Sequence, residues 1–74
     1  MKGSEFEQRV RRLGLLTGTP VRFVNHGKGS HGRLYYGERF TTLKDRKQDI
    51  GKGLLRAMCR QLDISLEDLV RAGQ

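Results

Sequence analysis

The sequence predicts a small α+β domain: a three-stranded antiparallel sheet with helices on one face, ordered helix, three strands, helix and a short final helix. Three observations predict it. Apolar residues recur at helical spacing near both ends, Phe6, Val10 and Leu13 at one and Leu54, Leu55, Met58, Cys59 and Leu62 at the other. Between them, Val21–His26 and His31–Tyr36 read as strands that one hairpin register sorts into an apolar and a polar face. A chain of 74 residues has room for one core and none for a deep interior cleft, so any active site is expected on an outer face or in a surface groove.

Ser4-Glu5-Phe6-Glu7 has the spacing of a capping box. It predicts a first helix over about residues 5–13, ended by Gly14, with Arg11 and Arg12 complementing the helix dipole in its last turns. Gly18-Thr19-Pro20 then breaks the chain before the first strand, and Gly27-Lys28-Gly29-Ser30 forms the next loop. If those four residues close a hairpin with His26 opposite His31, Phe23 pairs with Leu34 and Val21 with Tyr36 on the apolar face. Arg22, Val24, His26, His31, Arg33 and Tyr35 then share the other, and a slip of one residue destroys the separation.

Gly37-Glu38 turns the chain into a third strand, about Arg39 to Leu43. Its register has two readings: a two-residue turn sets Phe40 beside Tyr35 on the polar face, and a three-residue turn sets it in the core. A charged connection, Lys44 to Asp49, leads through Ile50-Gly51-Lys52-Gly53 to the second helix. Ser65 is placed to cap the last helix, with Glu67 and Asp68 in its first turn and Leu66, Leu69 and Val70 on its apolar side.

Charge narrows the function. Fifteen Lys and Arg against eight Asp and Glu give a net +7. The excess lies entirely between Arg22 and Arg60, where ten basic residues meet three acidic ones, while five of each sign balance outside that span. Such a concentration suits a polyanion, whose phosphates gain counterion-release free energy from it, although a solvated basic surface would show the same total. The N-terminus has no apolar signal-like region and no stretch reaches membrane-spanning length, so a soluble cytoplasmic chain is expected. One cysteine makes no internal disulfide, and Cys59 among core positions reads as an inert small hydrophobe. One Cys and two His without close spacing predict no metal site and no cofactor, and the scattered acids lack the pairing that two-metal nucleases use.

The stretch that can carry chemistry is Gly27-Lys28-Gly29-Ser30-His31. The glycines let a phosphate approach the backbone closely, while Lys28, the Ser30 hydroxyl and nearby N–H groups can hold an anion. His31 stands at the strand edge, where an imidazole can take the 2′-hydroxyl proton of RNA or protonate the leaving 5′-oxygen. In the register above, His26 lies beside His31; the preferred reading is a spectator neighbour, and the alternative is a second acid or base that divides the proton transfers with His31. Arg33, Lys44, Lys47 and Lys52 are further candidate phosphate contacts, and Tyr35 can stack on an unpaired base or pack beside the next strand.

Gly29-Ser30-His31 followed by Tyr35, then Gly51-Lys52-Gly53-Leu54-Leu55-Arg56 opening a helix and Asp63-Ile64-Ser65-Leu66-Glu67-Asp68 opening the last, resembles the HicA family of mRNA interferases over about residues 4 to 70. The resemblance implies a fold like a double-stranded-RNA-binding domain, α-β-β-β-α plus a short C-terminal helix. It implies a toxin of a type II toxin–antitoxin system that cleaves mRNA without a metal and is inhibited by a HicB-type antitoxin. The free toxin would be a monomer and the inhibited form a hetero-oligomer. The family's catalytic histidine falls on His31, with Gly29 and Ser30 as its structural neighbours.

Overall fold

The structure, a computed structural model, describes residues 1–27 and 31–73. The elements are α1 (Gly3–Thr17), β1 (Val21–Asn25), β2 (Gly32–Tyr36), β3 (Arg39–Leu43), α2 (Lys52–Leu62) and α3 (Leu66–Ala72). The strands form one antiparallel sheet in the order β1-β2-β3. One face of it is covered: α1 packs on β1, β2 and α3, and α2 packs on β3 and α3. Phe6, Val10, Leu34, Leu43, Leu55, Met58, Cys59, Leu62 and Leu69 make the core, each fully buried Leu or Phe contributing roughly 1.5–3 kcal/mol. Thr41 is the buried polar residue on that face, and its hydroxyl donates to Gln61 Oε1 of α2.

The hairpin register is the expected one. Val21 faces Tyr36, Phe23 faces Leu34, and the His26 N–H donates to the His31 carbonyl at 3.0 Å. The two histidines flank the strands rather than belong to them, since β1 ends at Asn25 and β2 begins at Gly32. The undecided third strand takes the two-residue turn, with Tyr36 opposite Arg39 and Tyr35 opposite Phe40. Gly37 adopts φ 64° there, which glycine reaches without steric cost and which two-residue hairpins require.

The first helix is longer than its sequence signals. It starts at Gly3, with Lys2 as N-cap and no side-chain cap, and ends at Gly18 in the left-handed conformation. The Ser4–Glu7 capping box does not form. The Gly3 and Ser4 N–H groups instead donate to the Gln48 and Arg46 carbonyls at 3.1 and 2.9 Å, so the charged connection caps the helix. Gly14 lies inside the helix because it is a packing position: a Cβ there would stand 2.5 Å from Val21 Cγ2 and 2.6 Å from the Thr19 carbonyl oxygen. Arg11 and Arg12 consequently sit mid-helix, and the last turn carries no basic residue. At the other end, the second helix starts at Lys52 behind Gly51, and Ser65 caps α3 as its spacing predicts, accepting from the Asp68 N–H at 3.0 Å.

Glu7 ties the connection to α1, accepting from Arg46 Nε at 2.7 Å and Arg11 Nε at 3.0 Å. Burial pulls its carboxyl pKa upward, but the hydrogen bonds from Arg46 and Arg11 outweigh that and hold it below the ordinary value. A lowered carboxylate pKa stabilises the fold above the unfolded-state pKa, and that stabilisation is lost as pH falls through the folded-state value. Glu7→Gln should therefore cost about 1 kcal/mol at neutral pH, the partners being partly solvated. In urea titrations at a series of pH values the gap between variant and parent should close in acid. A constant gap at all pH values would contradict this assignment.

Candidate nucleic-acid interface

The open face of the sheet follows from strand parity. Leu34, Thr41 and Leu43 point to the helices, so their neighbours along each strand point away. The registers arrange these outward residues in rows across the sheet: Arg22, Tyr35 and Phe40 in one, Val24, Arg33 and Thr42 in the next, and His26 with His31 at the end. Arg22, His26, His31, Phe40 and Thr42 are exposed, and Val24, Arg33 and Tyr35 are half-buried.

At the histidine end, His26, His31, Gly32, Arg33 and Thr42 line a shallow groove. The two histidines flank the ends of β1 and β2, and strand parity puts them on the side of the sheet that the helices leave free. Among the described residues no three His, Cys, Asp or Glu side chains converge as a metal site.

From Arg33 toward the opposite end, aromatic rings and guanidinium groups lie against one another. Arg22 lies over the Tyr35 ring at 4.4 Å, Arg33 lies over the Phe40 ring at 4.4 Å, and the two rings meet at 5.5 Å between centroids with planes tilted by 45°. Phe40 keeps 40% of its surface in water. The sequence leaves Phe40 between two registers and carries no separate signal at Thr42. The glycine at the first position of the two-residue turn was the signal that could have fixed both.

The structure brings together His26, His31 and Arg33 of the sequence-predicted site residues. Lys28, Gly29 and Ser30 lie outside the described residues. Lys44 is exposed just past β3 and lines an apolar concavity between β3 and α2 that neither histidine lines. Lys47 is exposed on the connection, where its N–H donates to Asp45 Oδ1 at 2.8 Å, and Lys52 is exposed at the first residue of α2. Arg46, by contrast, is structural: besides bonding Glu7 it lies over the Phe23 ring at 4.2 Å. Cys59 is buried in the core, and burial pushes its thiol pKa up, away from the reactive thiolate.

No family model, curated protein or solved structure matches this chain. Among the described residues no helix is long and apolar enough to cross a membrane.

Proposed function

We propose that this chain is an endoribonuclease that cleaves mRNA through His31 without a metal, acting as the toxin of a type II toxin–antitoxin pair in the cytoplasm. The observation that carries the reading is the exposed His31, cross-strand from His26, in a groove shared with Arg33 on the uncovered face of a strongly basic domain. The likeness of Gly29-Ser30-His31 and Gly51-Lys52-Gly53-Leu54-Leu55-Arg56 to the HicA pattern agrees with it.

The chemistry needs two proton transfers. A base removes the 2′-hydroxyl proton, the 2′-oxygen attacks the adjacent phosphorus, and the bond from phosphorus to the 5′-oxygen breaks. An acid then protonates that oxygen. The products are a 2′,3′-cyclic phosphate and a free 5′-hydroxyl. His31 supplies one transfer, and His26 is the nearest imidazole for the other. Arg33 in the groove offers positive charge to the phosphate as negative charge builds on its oxygens, and Lys28 is a further cation that the sequence assigns to this task. Lys44, Lys47 and Lys52 extend that charge for the flanking backbone. A HicB-type antitoxin would inhibit by covering this face with acidic side chains.

The test is degradation of single-stranded RNA by the purified chain in EDTA, with end-group analysis of the fragments. Cyclic phosphate and 5′-hydroxyl ends that disappear in His31→Ala support the reading. Salt-dependent RNA binding without degradation would make the chain an RNA-binding module, a role that the arginine-flanked rings at the other end of the face also suit. Absence of RNA binding would turn attention to an acidic protein partner.

A further inference from the structure

We propose that Tyr35 and Phe40, with Arg22 and Arg33, form a stacking site for unpaired nucleobases, which makes single-stranded RNA the preferred substrate. This rests on the reading of the chain as an RNA-acting protein and adds to it a base-binding subsite that adjoins the histidine groove and shares Arg33 with it.

Four features carry the inference. Phe40 is a large apolar ring left substantially in water on a face otherwise rich in polar groups, although the alternative register would have buried it. Its neighbour is a second ring, tilted against it at 5.5 Å. Each ring has a guanidinium over it at 4.4 Å, so π surface and positive charge are interleaved across two neighbouring rows. These rows lie on the same face as the histidines, and Tyr35 stands four residues along β2 from His31, about 13 Å at ~3.3 Å per residue. A protein partner of ordinary composition does not require that alternation. A single strand does, because it offers flat bases to the rings and guanidinium planes and phosphates to the charges. Within a duplex the bases are already stacked on one another and present no free face.

At about 13 Å from His31, the rings do not reach the reacting atoms. The site positions the strand and takes no part in the proton transfers. Loss of the Phe40 ring should raise KM more than it lowers kcat, Arg33 being shared with the histidine groove.

The experiment uses fluorescence anisotropy with 2′-O-methyl RNA, which cannot undergo attack by its 2′-oxygen, as a single strand and as a duplex of the same sequence. An abasic strand of equal length supplies the phosphates alone. The parent should bind the single strand more tightly than the duplex or the abasic strand. Phe40→Ala and Tyr35→Ala should each weaken single-strand binding about tenfold, within the range of one lost base–aromatic stack, while duplex and abasic binding hardly change. Phe40→Tyr should retain parental binding, and Phe40→Leu, which keeps apolar bulk without a π face, should behave like the alanine variant. Phe40 is outside the core, so these variants are expected to keep the parental circular-dichroism spectrum and melting temperature. If the parent binds RNA in a salt-dependent way but Phe40→Ala and Phe40→Leu bind the single strand as well as it does, the stacking site is wrong and the RNA-acting role survives. If the parent binds no RNA at all, both fail together.

Discussion

His31→Ala should reduce RNA cleavage by about 10²–10⁴-fold, the range a positioned general acid or base supplies, with little change in stability or in RNA affinity. The small structural effect follows from exposure: the His31 side chain lies in solvent, and its carbonyl accepts from the His26 N–H to tie it to the sheet. Alanine keeps that carbonyl. The affinity should hold because phosphate binding comes from the arginines and lysines. Initial rates on a fluorogenic RNA, with melting temperature and anisotropy on the same samples, separate the three quantities. Growth after induced expression gives the cellular counterpart, arrest with the parent chain and none with the variant. His26→Ala belongs in the same series. A fall on the order of 10²-fold assigns His26 the second proton transfer, whereas parental activity leaves it a neighbour. If His31→Ala cleaves as fast as the parent, the histidine groove is not the site of chemistry.

Local pattern determined how much of this arrangement could be read in advance. The β1–β2 hairpin was readable because parity is unforgiving: one register alone separates Phe23 and Leu34 from Arg22, Arg33 and the histidines, and the strands adopt it. Ser65 was readable for a similar reason, since its partner, the Asp68 N–H, is three residues away. The ends of α1 were not. Ser4 and Glu7 have the spacing of a cap, but the competing partners Arg46 and Gln48 are brought in by the tertiary fold. Gly14 looks like a helix stop, and only the presence of Val21 and Thr19 beside it shows that it is a point of close approach. Phe40 was ambiguous because both turn lengths give a plausible strand. The conformational freedom of Gly37 selects the shorter one. The rows on the open face could thus be assembled for two strands and not for the third, so the paired rings emerge only with the complete sheet.

Gly32 should prove the least tolerant glycine near the site, and the reason is geometric. It is buried in β2 opposite Asn25 and Leu43, and the Phe23 ring lies against it. A Cβ at this position would stand 2.3 Å from Phe23 Cζ, 2.8 Å from Cε1 and 2.6 Å from the Val24 carbonyl oxygen. Swinging Phe23 away would disturb its contact with Arg46, and Arg46 also bonds Glu7 of α1. The carbonyl belongs to the strand itself and moves only if the hairpin moves. Gly32→Ala should therefore cost about 1–3 kcal/mol, the usual range for overpacking, and lower the melting temperature by roughly 5–20 °C in a domain of this size. Because Gly32 follows His31 directly, the adjustment should displace the histidine from His26, and cleavage should fall by more than the folded fraction does. Gly53→Ala is the counterpart. Gly53 lies in the first turn of α2 with nothing within 4 Å of a Cβ built there, so alanine should stabilise the helix by about 0.5 kcal/mol. Opposite signs for the same substitution at two glycines would trace both effects to local space. A Gly32→Ala variant that melts with the parent would mean that Phe23 does not pack on this position.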